Sequence, residues 1–437
     1  MSAEEAGTGR LVFGARLTIQ RLGQRGEGIA NHDGALVYVP HALPGEVVLA
    51  DVDGDRGSLN LVETSATNRV AAICKHYGTC GGCALQVLAP QDYLAWKRSL
   101  VSDALAREGV PCPVGDIIAA HGEGRRRVTF HARINTGSLA ENRIALGFMR
   151  ARSHDIVDID ACPVLSPELG NAADIARSVA RTMSALGKPL DIVVTATQSG
   201  LDVDMRGAGA LNNELRIGLT RLAETLDLAR IANHGDIIIE RRAPSVPIGN
   251  ALLNPPPGAF LQATALGEQA LAGLVMGAAR GSKRIADLFA GVGTFALRLA
   301  ELAPVEAVEN DAAALLALSR AANFAPGLKG VSVQERDLFR RPLTDKELDR
   351  FDCVVFDPPR AGAQAQAQQL AKSGVRKVIS VSCNAQTFAR DARLLMDGGY
   401  TVSEVTPVDQ FLYSPHVEMV GVFTKSVPVK KRRSLLG

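Results

Sequence analysis

A chain of 437 residues is longer than one hydrophobic core ordinarily serves, so two or three domains are expected. Its 46% hydrophobic and 22% charged residues are those of a folded protein, and 4% aromatics exclude a broad base-stacking surface. A formal net charge of +2 excludes global charge as a reason to bind a polyanion, so basic character has to come from local patches.

The opening, MSAEEAGTGR, is too acidic and too polar for a secretory signal. No stretch approaches ~18 uninterrupted apolar residues, so the expectation is a cytoplasmic protein without a membrane span. From Leu11 to about Glu63, β-type runs (LTIQRL, ALVYVP, EVVLADV) alternate with turns at Gly26, Gly28, Asp33-Gly34 and Asp53-Gly54, which is the pattern of a small antiparallel barrel. The segment GQRGEGIANHDGALVYVPHALPGE resembles the TRAM domain, and that resemblance implies an OB-like, RNA-binding barrel.

Next comes CKHYGTCGGC, which places Cys74, Cys80 and Cys83 in one loop with a glycine pair that lets the chain fold back on itself. Closely spaced cysteines flanked by glycine are a common sequence form of a metal site, and Cys162 in DIDACPVL can supply a fourth thiolate. Four thiolates suit either zinc or a [4Fe-4S] cluster, and spacing alone does not decide between them. Cys112 and Cys353 read as ordinary buried thiols. A helical pattern covers Pro90 to Glu108, and mixed α and β segments run to about Asn250. Within them, Arg125, Arg126 and Arg127 form a basic patch that is either a solvated face or a contact surface. The run Pro255-Pro256-Pro257 marks a linker or turn.

From about Ala259 to Thr424, short apolar strands (RIADLF, VEAVE, VSVQ, CVVFD, VISVS, MVGVF) alternate with helical stretches, predicting a doubly wound, largely parallel sheet. Asp287-Leu288-Phe289-Ala290-Gly291-Val292-Gly293-Thr294 leaves a strand and opens a helix, and the next strand ends in Glu309, an acidic residue placed to bond a ribose. Together they suggest an adenosine-bearing ligand. Phe356-Asp357-Pro358-Pro359-Arg360 puts a carboxylate on a rigid turn at a strand end. The run Val378 to Val381 delivers Ser382-Cys383-Asn384 to the mouth of the sheet, whereas a core cysteine would sit within the strand. Lys430, Lys431, Arg432 and Arg433 close the chain as a basic tail.

Uracil C5 is a poor nucleophile, and a thiolate added to C6 makes it carbanion-like. C5 then takes a methyl group from a sulfonium, and a separate base removes the C5 proton before sulfur is expelled. Glu418, in SPHVE beside the last apolar strand, is a candidate base. DLFAGVGTF resembles motif I of class I methyltransferases, and Asp337 of QERDLF stands where such enzymes contact adenine. DPPRAG, VISVSCNAQTFARD, PVDQFLYSPHVE and GAFLQAT together resemble the RNA uracil-5-methyltransferase family over nearly the whole chain.

That resemblance implies Cys383 as nucleophile and Glu418 as base. It also implies S-adenosyl-L-methionine as methyl donor, held by Gln262, Phe289, Gly291, Thr294, Glu309, Asp337 and Asp357, with Phe260 near a flipped-out uracil. Its ribosomal-RNA branch carries a CGGC motif between an earlier and a later cysteine. This favours a [4Fe-4S] cluster on Cys74, Cys80, Cys83 and Cys162 and 23S rRNA as partner, with no obligate protein partner implied. A radical mechanism is disfavoured because C-x3-C-x2-C is absent. Three positions depart from the family pattern: Leu261, Thr264 and Ala385 stand where it usually has phenylalanine, asparagine and proline.

The expected architecture is therefore α/β: a Rossmann-like class I methyltransferase domain over 256–425, a TRAM-like OB barrel over 9–66, a central α+β iron-sulfur domain over 67–255 and a basic tail over 426–437. The alternatives are a transfer-RNA methyltransferase and a noncatalytic RNA-binding or ribosome-assembly factor. Cytosine-C5 methylation is disfavoured because those enzymes carry their nucleophile in another motif.

Overall fold

The computed structural model describes residues 11–135 and 143–425, so the basic run Lys430 to Arg433 lies outside the described residues. The first unit is a closed barrel whose strands run, in spatial order, Val12–Leu22, Gly28–His32, Ala35–Val39, Arg56–Thr64 and Val47–Asp53. Neighbours are antiparallel except where Tyr38 meets Arg56 and closes the barrel in parallel. Alternation along the strands turns Leu17, Ile19, Val37, Val39, Val48 and Ala50 inward, so that a domain of this size still has a core.

The central unit is a seven-stranded sheet in the order Asp236–Glu240, Arg230–Asn233, Gly200–Arg206, Leu190–Thr197, Arg127–Asn135, Arg143–Met149 and Ile156–Asp158. Helices Ala172–Thr182 and Asn213–Thr225 pack on it, and Phe130, Leu146, Ile175, Val179, Ile192, Val203 and Leu219 form the shared core. The second helix starts where the Asn212 Oδ1 accepts the Leu215 N–H at 2.9 Å, an N-cap.

The third unit is an eight-stranded sheet in the order Val331–Glu335, Val305–Glu309, Ile285–Leu288, Cys353–Phe356, Lys377–Ser382, Glu418–Thr424, Thr401–Asp409 and Ile118–Ala119. The first five are parallel, as the alternation of short strands with helical stretches predicts, while Glu418–Thr424 enters antiparallel between its two neighbours. Thr401–Asp409 was not foreseen as a strand, because TVSEVTPVD is half polar and exposed along its first residues. Strand order reverses between Ile285–Leu288 and Cys353–Phe356, and such a reversal opens a crevice at the carboxyl ends of the strands.

Residues 90–119, upstream of the proline run, belong to this third core. On helix Pro90–Arg107, Val101, Ala104 and Leu105 pack in one cluster with Leu288, Phe356 and Phe388. The short strand Ile118–Ala119 pairs with Val408 and Asp409. The central and C-terminal parts of the chain are therefore joined through a common core. Among the described residues, no helix is long and apolar enough to cross a membrane.

Candidate active site

The turn after Ile285–Leu288 holds Phe289, Gly291 and Gly293 at φ of 61°, 53° and 96°, a left-handed path that costs glycine little and phenylalanine more. A Cβ on Gly293 would lie 2.7 Å from Leu318 Cγ, so the glycine lets the turn pack on the neighbouring helix. A Cβ on Gly291 would meet nothing within 4 Å, which leaves an open cradle beside the backbone. Glu309 walls this cradle: its Oε2 accepts the Gly291 N–H at 2.9 Å and its Oε1 accepts the Asn310 and Asp311 N–H groups at 2.7 and 3.1 Å. On the next turn the Asp337 Oδ1 accepts the Phe339 and Arg340 N–H groups at 2.9 and 3.2 Å. Phe289 and Phe339 meet with ring centroids 5.3 Å apart. Thr294 is buried under the turn.

Asp287 is a functional candidate that the motif reading passed over. Both its carboxyl oxygens are buried without a hydrogen-bond partner, and burial together with the charge of Asp357 pushes its carboxyl well above the usual range. A buried polar group left unpaired costs stability, so such a group at a strand end beside a cradle marks a place where a ligand would be received. Its signal in the sequence was a charged residue in an otherwise apolar strand, IADL.

The two candidate reacting groups, Cys383 and Glu418, converge for a topological reason. Lys377–Ser382 ends where the antiparallel Glu418–Thr424 begins, and Ser382 pairs with Met419, so Cys383 and Glu418 leave adjacent strands at the same edge. The Asn384 Oδ1 accepts the Gln386 and Thr387 N–H groups at 3.0 and 3.3 Å and caps helix Ala385–Asp397. Ala385 is the first residue of that helix, a position that also accepts proline, so its departure from the family pattern preserves the cap. Burial, with the charges of Glu418 and Asp357, pushes the Cys383 thiol up to about 12, against the pull of the Arg360 guanidinium. Burial and the charge of Asp357 likewise hold Glu418 above the ordinary carboxylate range, and burial raises Asp357.

Two buried amides link these carboxyls. Gln262 Nε2 donates to Asp357 Oδ2 at 3.5 Å, Gln410 Nε2 donates to Gln262 Oε1 at 2.6 Å, and the same nitrogen donates to Glu418 Oε1 at 3.2 Å. The Thr264 N–H reaches Gln410 Oε1 at 3.4 Å, which fixes which way that amide faces. The Thr264 hydroxyl donates to the Ala120 carbonyl at 2.6 Å and accepts the Gly267 N–H at 2.9 Å, so threonine caps helix Ala265–Ala279. Leu261 stays buried and apolar. Sequence reasoning missed Gln410 and Arg360, because neither residue type stands out until the fold aims it into the crevice.

The arginine triplet is neither a solvated face nor an open patch. Arg126 pairs with buried Glu268 and donates to the Gln262 carbonyl at 2.9 Å. Arg127 donates to the Ala259 and Gly258 carbonyls, and Arg125 lies 5.7 Å over the Phe411 ring. Arg126 and Arg127 clamp residues 258–263, and Phe260 projects from this segment at 65% exposure.

Phe260 lines a cavity of about 660 Å³ together with Cys74, Cys80, Cys83, Cys162, Arg125 and Arg150. The fold thus brings the four cysteines to one cavity across a long sequence gap. Burial raises the Cys80, Cys83 and Cys162 thiols, and neighbouring cysteines add to each shift. Among the described residues, no three His, Cys, Asp or Glu side chains are gathered closely enough to hold a single metal ion. Cys353 is buried as expected, whereas Cys112 is only half-buried, with its Sγ 3.3 Å from the Pro113 carbonyl.

A family model described as tRNA (Uracil-5-)-methyltransferase matches residues 256–427. An uncharacterized RNA methyltransferase of Brucella suis is 47% identical, with 94% of this chain and 98% of that protein covered. The 23S rRNA (uracil(1939)-C(5))-methyltransferase RlmD of Chromohalobacter salexigens is 34% identical over 94% of this chain and 90% of its own length. Among solved structures, the Pyrococcus abyssi tRNA (uracil-54, C5)-methyltransferase in complex with S-adenosyl-L-homocysteine shares the fold. It has a TM-score of 0.70 and 24% identity and covers 94% of this chain and 99% of that one.

Proposed function

The chain belongs to the RNA uracil-5-methyltransferase family, and from that membership we propose how its residues methylate carbon 5 of a uracil in RNA. The observation that carries the reading is the convergence of Cys383 and Glu418, fixed by the pairing of Ser382 with Met419. The open space beside Gly291 and the unpartnered carboxyl of Asp287 fit an adenosine-bearing, cationic methyl donor, which we take to be S-adenosylmethionine. When bound, that donor supplies an electrophilic methyl group on a sulfonium.

Gln262, Phe289, Gly291, Thr294, Glu309, Asp337 and Asp357 would hold it, with Glu309 and Asp337 toward ribose and adenine. The Cys383 sulfur adds to C6 of the uracil, so that C5 becomes electron-rich enough to take the methyl group. Glu418 then removes the C5 proton, the C5–H electron pair restores the ring double bond, and sulfur leaves with the electrons of the C6–S bond. A carboxylate held above its ordinary range is the stronger base for that proton. The free thiol of Cys383 is a reluctant nucleophile in an acidic pocket, and a bound sulfonium beside it would favour the thiolate. Phe260 would contact the extruded base or its neighbour at the crevice mouth.

Large-subunit ribosomal RNA is the substrate we favour, supported by the C. salexigens relative, which covers nearly the whole chain. Transfer RNA is the second reading, supported by the description of the matching family. We also propose that the 9–66 barrel binds RNA and that the 67–255 region holds a [4Fe-4S] cluster on Cys74, Cys80, Cys83 and Cys162. What supports that proposal is that the four cysteines line one cavity, and four thiolates are the ligand set such a cluster takes. Such a group would brace the fold or the RNA and takes no part in methyl transfer. The deciding experiment maps 5-methyluridine in rRNA and tRNA from a strain lacking the gene. Loss of one modified position supports the assignment, and an unchanged map in both RNAs excludes it.

A further inference from the structure

Residues 410–417 join the last two strands of the C-terminal sheet and lead into Glu418, yet several of the ties that shape this loop come from residues 84–97. Lys97 is fully buried on helix Pro90–Arg107. Its Nζ donates to Asp409 Oδ1 at 2.6 Å, to the Phe411 carbonyl at 3.2 Å and to the His416 carbonyl, so all three ammonium protons are used. One helical turn earlier, the Tyr93 hydroxyl accepts the Tyr413 N–H at 2.8 Å and donates to the Phe411 carbonyl at 3.4 Å. The Ala84 and Leu85 N–H groups donate to the Tyr413 carbonyl at 2.7 and 3.2 Å. Tyr413 itself sits at φ 64°, a conformation a tyrosine keeps only when its surroundings impose it.

A buried ion pair contributes little net stability, because desolvation offsets the Coulomb attraction, and an apolar pair often serves as well. What an apolar pair could not do is donate to the His416 carbonyl, which lies outside any regular element and only two residues before Glu418, whereas the Phe411 carbonyl also accepts from Tyr93 and Ser414. A compact ammonium with three divergent donors suits those acceptors, whereas a planar guanidinium does not.

We propose that Lys97 is a positioning residue for the reaction: it fixes the 410–417 loop so that Glu418 meets the C5 proton of the uracil. This rests on the reading of Glu418 as the base. In the step concerned, the adduct carries both a methyl group and a proton on C5 and the Cys383 sulfur on C6. Glu418 takes the proton, the C5–H pair becomes the C5=C6 double bond, and the C6–S pair returns to sulfur. Misplacing Glu418 stalls the adduct after methyl transfer without preventing its formation.

The test uses full-length protein, methyl-labelled S-adenosylmethionine, and rRNA plus tRNA from a strain lacking the gene, under single turnover and resolved on denaturing gels. Lys97→Met alone leaves Asp409 buried without a counter-charge, so the double variant Lys97→Met/Asp409→Asn is compared with wild type and Glu418→Gln. The double variant is expected to bind S-adenosylmethionine within about threefold of wild type. It should accumulate a methyl-labelled covalent RNA–protein band, as Glu418→Gln does, and release 5-methyluridine at least about tenfold more slowly. Lys97→Arg should behave like the double variant.

Parallel loss of band and product, wild-type turnover, or loss of cofactor binding in the double variant would each overturn the role for Lys97. If the wild type yields no 5-methyluridine and Glu418→Gln yields no band, the underlying reading of the enzyme fails instead.

Discussion

Gln262 and Gln410 stand head to tail between two carboxyls: the Gln410 amide donates to Gln262 at 2.6 Å and to Glu418 at 3.2 Å, and Gln262 donates onward to Asp357 at 3.5 Å. The proposed cofactor side and the proposed base side of the crevice therefore share one buried polar network, in which a broken link leaves its partners unpaired. Gln262→Leu should weaken S-adenosylmethionine binding by about tenfold or more, the worth of a hydrogen bond to a charged group, and slow turnover as well. Isothermal titration and single-turnover rates measure the two effects. Unchanged binding and turnover would show that the network is not used.

Cys383→Ala removes the sulfur that saturates the ring and nothing that holds the donor. Methyl transfer should disappear while S-adenosylmethionine affinity stays within about twofold, and RNA bearing 5-fluorouridine should form no adduct. Tritium release from 5-labelled uridine follows the reaction directly, and turnover surviving in this variant would end the covalent mechanism.

Glu418 is raised to about 8 by burial and by Asp357, and it must be ionised to remove a proton. The product-release step should therefore accelerate as pH rises toward that value and then level off, and Glu418→Gln should flatten the profile while lowering it by about 100-fold or more. Stability should run the other way. A carboxyl raised on folding binds protons that the unfolded chain gives up, so its stabilising contribution is present at low pH and is lost as pH climbs through the folded value. The melting temperature of the free protein should fall between mildly acidic and alkaline buffer, and less steeply in Glu418→Gln.

Gly293→Ala brings a methyl group to about 2.7 Å from Leu318 at φ 96°, so it should cost about 1–3 kcal/mol of stability and distort the turn. Gly291→Ala meets no neighbour, only an unfavourable φ, so it should be better tolerated by the fold and harm mainly cofactor binding. Thermal melts with and without S-adenosylmethionine separate the two, and equal melting temperatures for both variants would contradict this account.

Protein purified without oxygen should carry iron and inorganic sulfide and absorb broadly in the visible, and Cys83→Ser should lose both. Stoichiometric zinc without visible colour would replace the cluster assignment with a single-ion site.

Much of this protein is local and was therefore open to reading from the chain. The strand that ends at Leu288, the glycine turn after it and the strand that presents Cys383 each depend on apolar runs and backbone freedom within about ten residues, and those features need no partner to be recognised. The barrel strands follow from alternation and turn residues in the same way.

Other features depend on which distant segments meet, and no spacing encodes that. Arg125 to Arg127 read as a solvated face or a contact surface until the fold sets Arg126 and Arg127 on the 258–263 segment and Arg125 over the Phe411 ring. Asp287 is one more acid in a strand until burial strips it of partners. Lys97 is an unremarked residue of a long helix until its ammonium closes on three acceptors more than three hundred residues away. Residue type and order determined the chemistry available, whereas burial and long-range contact decided which groups are paired, strained or left waiting, because those depend on what surrounds an atom in space and not on what neighbours it along the chain.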